Sequence, residues 1–224
     1  LVEEYEEVGN AREVAPKFIA LAESHPKDPI AIDALIWVVT NLRRGDDLAQ
    51  AIQMIAKNHI ESRKLMPVCE LLVKRPSIAG EQLLRRLRVN NSHREVQAQA
   101  FFHLAEMLKK QRNLMPDIKS QTIAKRRIEQ FYGKEFTKHL ASLDDAKVGK
   151  EIETLYEQIA KSFADIELKD GTMGDVAKRE LFAIRHLALG TVAPEIDGED
   201  IDGRRMKLSG FRGRVVMLDF WGNW

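Results

Sequence analysis

The balance of charges argues against a protein that binds nucleic acid or an acidic membrane through its overall charge. The 224 residues carry 35 basic and 34 acidic side chains, a formal net charge of +1, so no overall field favours nucleic acid or an acidic membrane. Hydrophobic residues make up 44% and charged residues 31%, proportions ordinary for a globular protein. No run approaches the roughly 18 apolar residues of a membrane-spanning helix. We therefore expect a globular chain without a membrane segment or a nucleic-acid partner.

The first residue and the cysteine content limit the possible functions and locations further. The first residue is Leu1 rather than Met, which we interpret as a cut or processed end, so the localisation stays open. Cys69 is the single cysteine, which excludes an internal disulfide and a cysteine-based metal site. It lies among apolar residues in LMPVCELLVKR, a setting that predicts a buried core residue rather than a reactive thiol.

Residues 1–189 have the pattern of helices throughout. Asp28 and Pro29 are suited to the N-cap and first position of a helix, and Pro67 predicts a helix start or kink near Cys69. Ser92 and Glu95 have the spacing of a capping box. Apolar residues at helical spacing predict three buried stripes. These are Ile32, Leu35, Ile36 and Val39; Phe101, Leu104, Ala105 and Leu108; and Ile152, Leu155, Tyr156 and Ile159.

The helices have the rhythm of antiparallel pairs, as in tetratricopeptide-like or HEAT-like arrays. FIALAESHP (18–26) resembles YEQIAKSFA (156–164), and each precedes a short break and another helix. No strict period runs through the middle of the chain. The prediction is an irregular α-helical array whose last helix ends at Gly190.

From residue 190 the pattern changes. Six of the thirteen glycines lie in the last 35 residues, and Asp-Gly pairs at 197–198 and 202–203 predict hairpin turns. Ile201 and Met206–Leu208 are the expected arms around the second turn. LSGFRGR predicts a turn or a single helical turn, and VVMLDF (215–220) predicts a buried strand. A second domain, 190–224, is therefore predicted to begin here, with most of it absent.

GTVAPEI (190–196) followed by LSGFRGRVVMLDFWGNW (208–224) resembles the opening of a thioredoxin-like redoxin domain, most closely of the TlpA-like thiol–disulfide oxidoreductases beside the AhpC/TSA redoxins. The opening motif rests on Gly190, Ala193 and Pro194. Many positions match in order and spacing, although over only about a sixth of the chain. With the helical pattern of 1–189, the resemblance predicts a mostly α chain, an irregular array of antiparallel helix pairs, followed by the incomplete start of an α/β thioredoxin-like domain.

The resemblance also implies a site. The family continues with Cys-x-x-Cys at a helix start, so these cysteines are expected just after Trp224 and no catalytic residue is present in the chain. The neighbouring residues in the family pattern are Asp219, Phe220, Trp221, Gly222, Asn223 and Trp224. Trp221 and Trp224 would wall the cysteine pair. Asp219 matches a buried acid that helps move a proton from the resolving thiol, with a strand-end capping residue as its alternative.

Two other functions stay open. A non-enzymatic helical scaffold with a degenerate thioredoxin-like domain would lack cysteines after Trp224, and a peroxiredoxin-type peroxide reductase would show a single cysteine there. The implied partners of the full-length parent are protein thiol or disulfide clients or an electron-donor protein, without a cofactor. TlpA-like relatives generally work outside the cytoplasm, so the resemblance favours the periplasm or cell envelope of a bacterium.

Other candidate residues predict no site. His103 and Glu106 have an H-x-x-E spacing but lack the further ligands of a zinc or di-iron site, and we expect an ordinary pair on a helix surface. The basic clusters RRLR (85–88) and KRR (125–127) have acidic neighbours, which favours solvated helix faces over a nucleic-acid surface.

Unequal stability of the two regions is the first testable prediction. A hairpin and one strand without packing partners are marginal in water, so we expect amides of residues 190–224 to exchange hydrogen far faster than those of the helices in 1–189. Native-state hydrogen exchange measures this directly. Equal protection in both regions would contradict the prediction.

Overall fold

Helices dominate the chain. The computed structural model describes residues 2–120 and 123–222, with side chains from residue 11 onward. Within these ranges ten α-helices follow one another, and this confirms the predicted mostly α-helical fold. Their bounds are α1 Val2–Ser24, α2 Pro29–Asn41, α3 Asp46–Asn58, α4 Met66–Lys74, α5 Ile78–Asn90, α6 Arg94–Lys119, α7 Ile123–Tyr132, α8 Lys134–Ser142, α9 Asp145–Ser162 and α10 Met173–His186. A short 3-10 turn, Arg63–Leu65, precedes α4.

The predicted start signals of α2 and α4 are confirmed. Asp28 is the N-cap of α2, where its Oδ1 accepts a hydrogen bond from the Ile30 amide at 2.8 Å, and Pro29 is the first helical residue. Pro67 lies in the first turn of α4. A proline is tolerated there because the first amides of a helix have no partner within it.

The predicted capping box at the start of α6 is wrong. The helix begins at Arg94, and His93 occupies the N-cap position without a side-chain hydrogen bond. Asn91, almost fully buried, organises this corner instead. Its Oδ1 accepts from the His93 amide at 2.8 Å, and its Nδ2 donates to the carbonyls of Ile60 and Ser62 at 2.7 and 3.2 Å. A buried amide with partners on two segments fixes the turn, so Ser92 is not used as a cap.

The long helix α6 is the centre of the array. It packs against α4, α5, α7, α8 and α9. Of its predicted stripe, Leu104, Ala105 and Leu108 are buried and Phe101 is half-buried. Nearer the N-terminus, consecutive helices pair as α1 with α2 and α2 with α3. One helix with five neighbours breaks the simple alternation of a repeat, so the array is irregular.

The predicted stripes on α2 and α9 lie on the buried faces of these helices. Ile152, Leu155, Tyr156 and Ile159 are all buried on α9. On α2, Ile36 alone of the four predicted residues is only half-buried. The phenol of Tyr156 donates a hydrogen bond to Glu106 Oε1 at 2.5 Å, so its one polar atom is satisfied inside the α6–α9 contact.

A buried polar cluster joins four helices. Glu81 on α5 is only 6% exposed. Its carboxylate accepts from Arg85 Nε at 2.9 Å and from Gln111 Nε2 on α6 at 2.8 Å, and it lies 3.2 Å from His139 Nε2 on α8. Arg85 also pairs with Glu151 on α9. Burial alone would raise the pKa of Glu81, but the hydrogen bonds from Gln111 and Arg85 outweigh it and lower that pKa.

A small hairpin interrupts the helices before α10. β1 (Glu167–Leu168) pairs antiparallel with β2 (Gly171–Thr172), a feature the sequence analysis missed. Gly174 lies in the first turn of α10, and a Cβ there would lie 2.9 Å from the carbonyl oxygen of Ala164, so only glycine fits. The helix then ends at His186 rather than at the predicted Gly190, four residues later.

The chain divides into two compact units, Leu1–Arg179 and Glu180–Trp224. In the second unit, β3 (Asp197–Glu199) pairs antiparallel with β4 (Arg205–Lys207), and a 3-10 turn covers Leu208–Phe211. The predicted small β part is thus confirmed. The predicted domain boundary, between residues 189 and 190, stays a prediction.

We expect Glu81→Gln to lower the free energy of unfolding by about 2–3 kcal/mol at pH 7, because the buried carboxylate accepts charge-assisted hydrogen bonds and the amide would turn an N–H group toward the donors of Arg85 or Gln111. The lowered pKa of Glu81 gives stability above its unfolded pKa near 4.5, and this stability is lost as the pH falls through the folded value. Urea titrations at decreasing pH should therefore show the difference from wild type shrinking below about pH 4.5.

The matched control is Glu135→Gln, which removes an exposed carboxylate that pairs with the exposed Lys138. Its cost should stay within about 0.5 kcal/mol at every pH. A Glu81→Gln difference independent of pH, or equal to that of the control, would show that the buried charge does not stabilise the array.

Candidate functional site

The candidate site begins at the opening motif. Gly190 has φ +86°, a left-handed conformation that favours glycine. The hydroxyl of Thr191 donates to the carbonyls of Ala188 and His186 at 2.6 and 3.1 Å, which ties the motif to the end of α10. Ala193 is exposed and Pro194 is half-buried. The motif therefore forms a turn out of the last helix.

The second Asp-Gly pair makes the hairpin turn that the sequence predicts. Asp200 Oδ1 accepts from the amides of Asp202 and Arg204 at 2.9 and 2.8 Å, and Gly203 has φ +76°. The arms differ from the prediction, because Ile201 lies in the turn and is fully exposed.

The first Asp-Gly pair lies inside a strand rather than in a turn. Gly198 pairs with Met206 in the ladder of β3 and β4. Asp197 forms ion pairs with Arg205 and Lys207, each at 3.3 Å, across the two strands. The cross-strand residues that face Asp197 and Gly198 therefore determine the conformation of this pair. The Asp-Gly dipeptide alone does not determine it.

The 3-10 turn at 208–211 is held against the opening motif. The Leu208 amide donates to the Ile196 carbonyl at 2.9 Å, and the Ser209 amide donates to Glu195 Oε1 at 2.9 Å. The hydrogen bond from Ser209 lowers the pKa of Glu195. Two parts of the family resemblance, 190–196 and 208–214, are therefore neighbours in space, and the predicted helical turn is confirmed.

The apolar run after this turn is not a strand. Residues 214–222 have no regular secondary structure, and Val215 and Trp221 are 102% and 82% exposed. A strand needs a hydrogen-bonding neighbour, and no strand within 2–120 or 123–222 pairs with this run. The expectation of a buried strand is therefore not met in this chain.

Four of the six residues expected around the cysteine pair are described, and all four lie in solvent. Asp219, Phe220, Trp221 and Gly222 are all exposed. Asn223 and Trp224 lie outside the described residues. The roles that the resemblance implies for these residues stay predictions.

Cys69 is a core residue, as predicted. It is 0% exposed on α4, and its Sγ donates to the Leu65 carbonyl at 3.5 Å. Burial raises the pKa of this thiol to about 12. Because the thiolate is the nucleophile in thiol chemistry, Cys69 is unsuited to catalysis at neutral pH.

His103 and Glu106 are not the surface pair that the spacing predicts. His103 is buried on α6, and desolvation lowers its pKa to about 4, so the imidazole is neutral. Glu106 accepts from Tyr156 and from Lys109. The described side chains form no cluster of three or more His, Cys, Asp or Glu suited to a metal ion.

The basic clusters are only partly solvated. Arg85 belongs to the buried cluster around Glu81, and Arg88 lies 5.5 Å from the ring centre of Phe101. Arg126 and Arg127, in contrast, are exposed. The cluster around Glu81 was not predicted, although the i, i+4 spacing of Glu81 and Arg85 on α5 is a readable signal. No helix in the described ranges is long and apolar enough to cross a membrane.

The chain has a partial relative among known enzymes. Over 38 residues it is 42% identical to the thiol-disulfide oxidoreductase ResA of Geobacillus thermodenitrificans. That stretch is 17% of this chain and 22% of the relative, so the chain spans less than a quarter of the relative's length. No protein-family model and no solved structure matches the chain. The similarity supports a thioredoxin-like relationship.

The burial of Cys69 gives a direct prediction. In the native chain, Cys69 should react with Ellman's reagent at pH 8 at least about a hundredfold more slowly than in urea, because it is both inaccessible and protonated. Absorbance of the released thiolate follows the reaction, and Cys69→Ala is the blank. Equal rates with and without urea would place this thiol on the surface.

Proposed function

We propose that this chain is part of a thiol–disulfide oxidoreductase. Residues 190–224 open its thioredoxin-like domain, and residues 1–189 form an accessory or partner-binding module. The dense motif in the tail carries the proposal, since its two halves match the family in order and spacing. The partial identity to a thiol-disulfide oxidoreductase supports the same reaction class.

The chemistry requires a cysteine pair, which we expect as Cys-x-x-Cys directly after Trp224. A thiolate at a helix N-terminus has a lowered pKa and attacks the disulfide of a client, forming a mixed disulfide and releasing one client thiolate. The second cysteine then displaces the client. The client leaves with two thiols, and the cysteine pair is left oxidised until an electron-donor protein reduces it.

The residues before the pair would support this reaction. Trp221 and Trp224 would provide a rigid apolar wall for the client disulfide. Asp219 would hold or move the proton of the resolving thiol. The apolar run from Val215 is exposed in this chain. In a thioredoxin-like domain, neighbouring strands and helices cover such a run, and the proposal expects the rest of the domain to supply them.

The proposed partners are protein clients with thiols or disulfides, together with an electron-donor protein. The proposed place of action is outside the cytoplasm, in the periplasm or cell envelope of a bacterium. Both follow from the family resemblance.

A helical scaffold with a degenerate redox domain is the second candidate. One observation favours it, namely that the single cysteine of these 224 residues is fully buried and has a raised pKa. The two candidates differ in the residues that follow Trp224.

Sequencing the source gene through the codons after Trp224 separates the candidates. The oxidoreductase proposal predicts Cys-x-x-Cys there. A stop codon or a cysteine-free helix would overturn it in favour of the scaffold, and one lone cysteine would favour a peroxiredoxin-type peroxide reductase.

A further inference from the structure

A groove of about 530 Å³ lies on the helical unit, far larger than the gaps of a packed core. Its walls come from α1, from the turn before α3 and the start of that helix, and from the end of α7 and the turn after it. The polar lining includes Arg12, Arg44, Asp47, Gln130 and Tyr132. This volume is in the range of sites that hold a small ligand or a few side chains of a peptide.

The lining has an excess of positive charge. Arg12 and Arg44 are exposed, and neither forms an ion pair with a residue of 11–120 or 123–222, the ranges whose side chains the structure describes. Among the described residues that line the groove, Asp47 carries the single carboxylate. Two guanidinium groups that line one concavity favour an anionic occupant, and their planar forks suit carboxylates.

An apolar and basic surface adjoins the groove. Gln130 on α7 lines it, and the next residue, Phe131, is 73% exposed. Arg127 lies one turn before Phe131, and Ile123 lies one turn before Arg127, so helical spacing places the three on one face. Ile128 turns inward and packs with Phe136 and Leu140, so α7 is fixed while its outer face stays open.

We infer that this groove binds an acidic peptide segment of a partner protein. Carboxylates of the segment would face Arg12 and Arg44, and an apolar side chain beside them would contact Phe131. A concave surface fits a chain segment better than it fits a flat lipid surface. The inference deepens the proposed partner-binding role of the helical module, and it does not depend on any cysteine.

Fluorescence anisotropy tests the inference with two labelled peptides of equal length. In one, Glu residues surround one Leu and one Phe, and in the other Lys replaces each Glu. The full chain should bind the acidic peptide saturably and the basic peptide at least about tenfold more weakly. Added NaCl should weaken the acidic complex, because the charges are exposed to solvent.

Charge-reversal variants locate the binding. The double variant R12E/R44E should lose about tenfold or more in affinity for the acidic peptide. The control R86E/R179E reverses two exposed arginines elsewhere and should stay within about twofold. Circular dichroism and thermal unfolding check that both variants keep the wild-type fold. Phe131→Ser should weaken binding of the acidic peptide without changing its salt dependence.

Three results would overturn the inference. These are no saturable binding of the acidic peptide, equal weakening by both double variants, and binding of the chain to anionic lipid vesicles but not to the peptide. Each measures binding alone, so none bears on the proposed redox reaction. Conversely, if no Cys-x-x-Cys follows Trp224, the redox proposal fails and the inference about the groove is unaffected.

Discussion

The buried carboxylate of Glu81 constrains the relative positions of four helices of the first unit. A charge without partners in a protein interior costs several kcal/mol, so the helices that supply its partners must hold fixed positions relative to α5. Gln111 does so from α6 and His139 from α8, while Arg85 extends the contact to Glu151 on α9. The apolar core favours compact packing in general, and this cluster selects one arrangement among the compact ones.

The two units contrast in how their apolar residues are used. In the first unit, α6 buries apolar residues against five neighbouring helices. In the second, the hairpin and the 3-10 turn are fixed mainly by local hydrogen bonds, such as those of Asp200 and Glu195, while Val215 and Trp221 stay in solvent. Each unit therefore has a different source of order: packing between helices in the first, and local hydrogen bonds in the second.

Local signals carried the sequence predictions that succeeded. The cap at Asp28, the apolar stripes, the turn at Gly203 and the buried Cys69 each depend on spacing within a few residues. The failures depend on distant partners. The buried amide of Asn91 displaced the capping box at Ser92, and the run from Val215 has no neighbouring strand among the described residues. For the candidate site, the order of motifs was predictable, but the surroundings of Asp219 and Trp221 depend on packing that one sequence does not display.

The most direct test of the redox assignment is a turnover measurement on the protein encoded by the whole source gene. With dithiothreitol as electron donor, insulin disulfide reduction should proceed well above the uncatalysed rate. The 224-residue chain alone should give no acceleration, since its single thiol is buried. Acceleration by this chain, or none by the whole protein, would contradict the assignment.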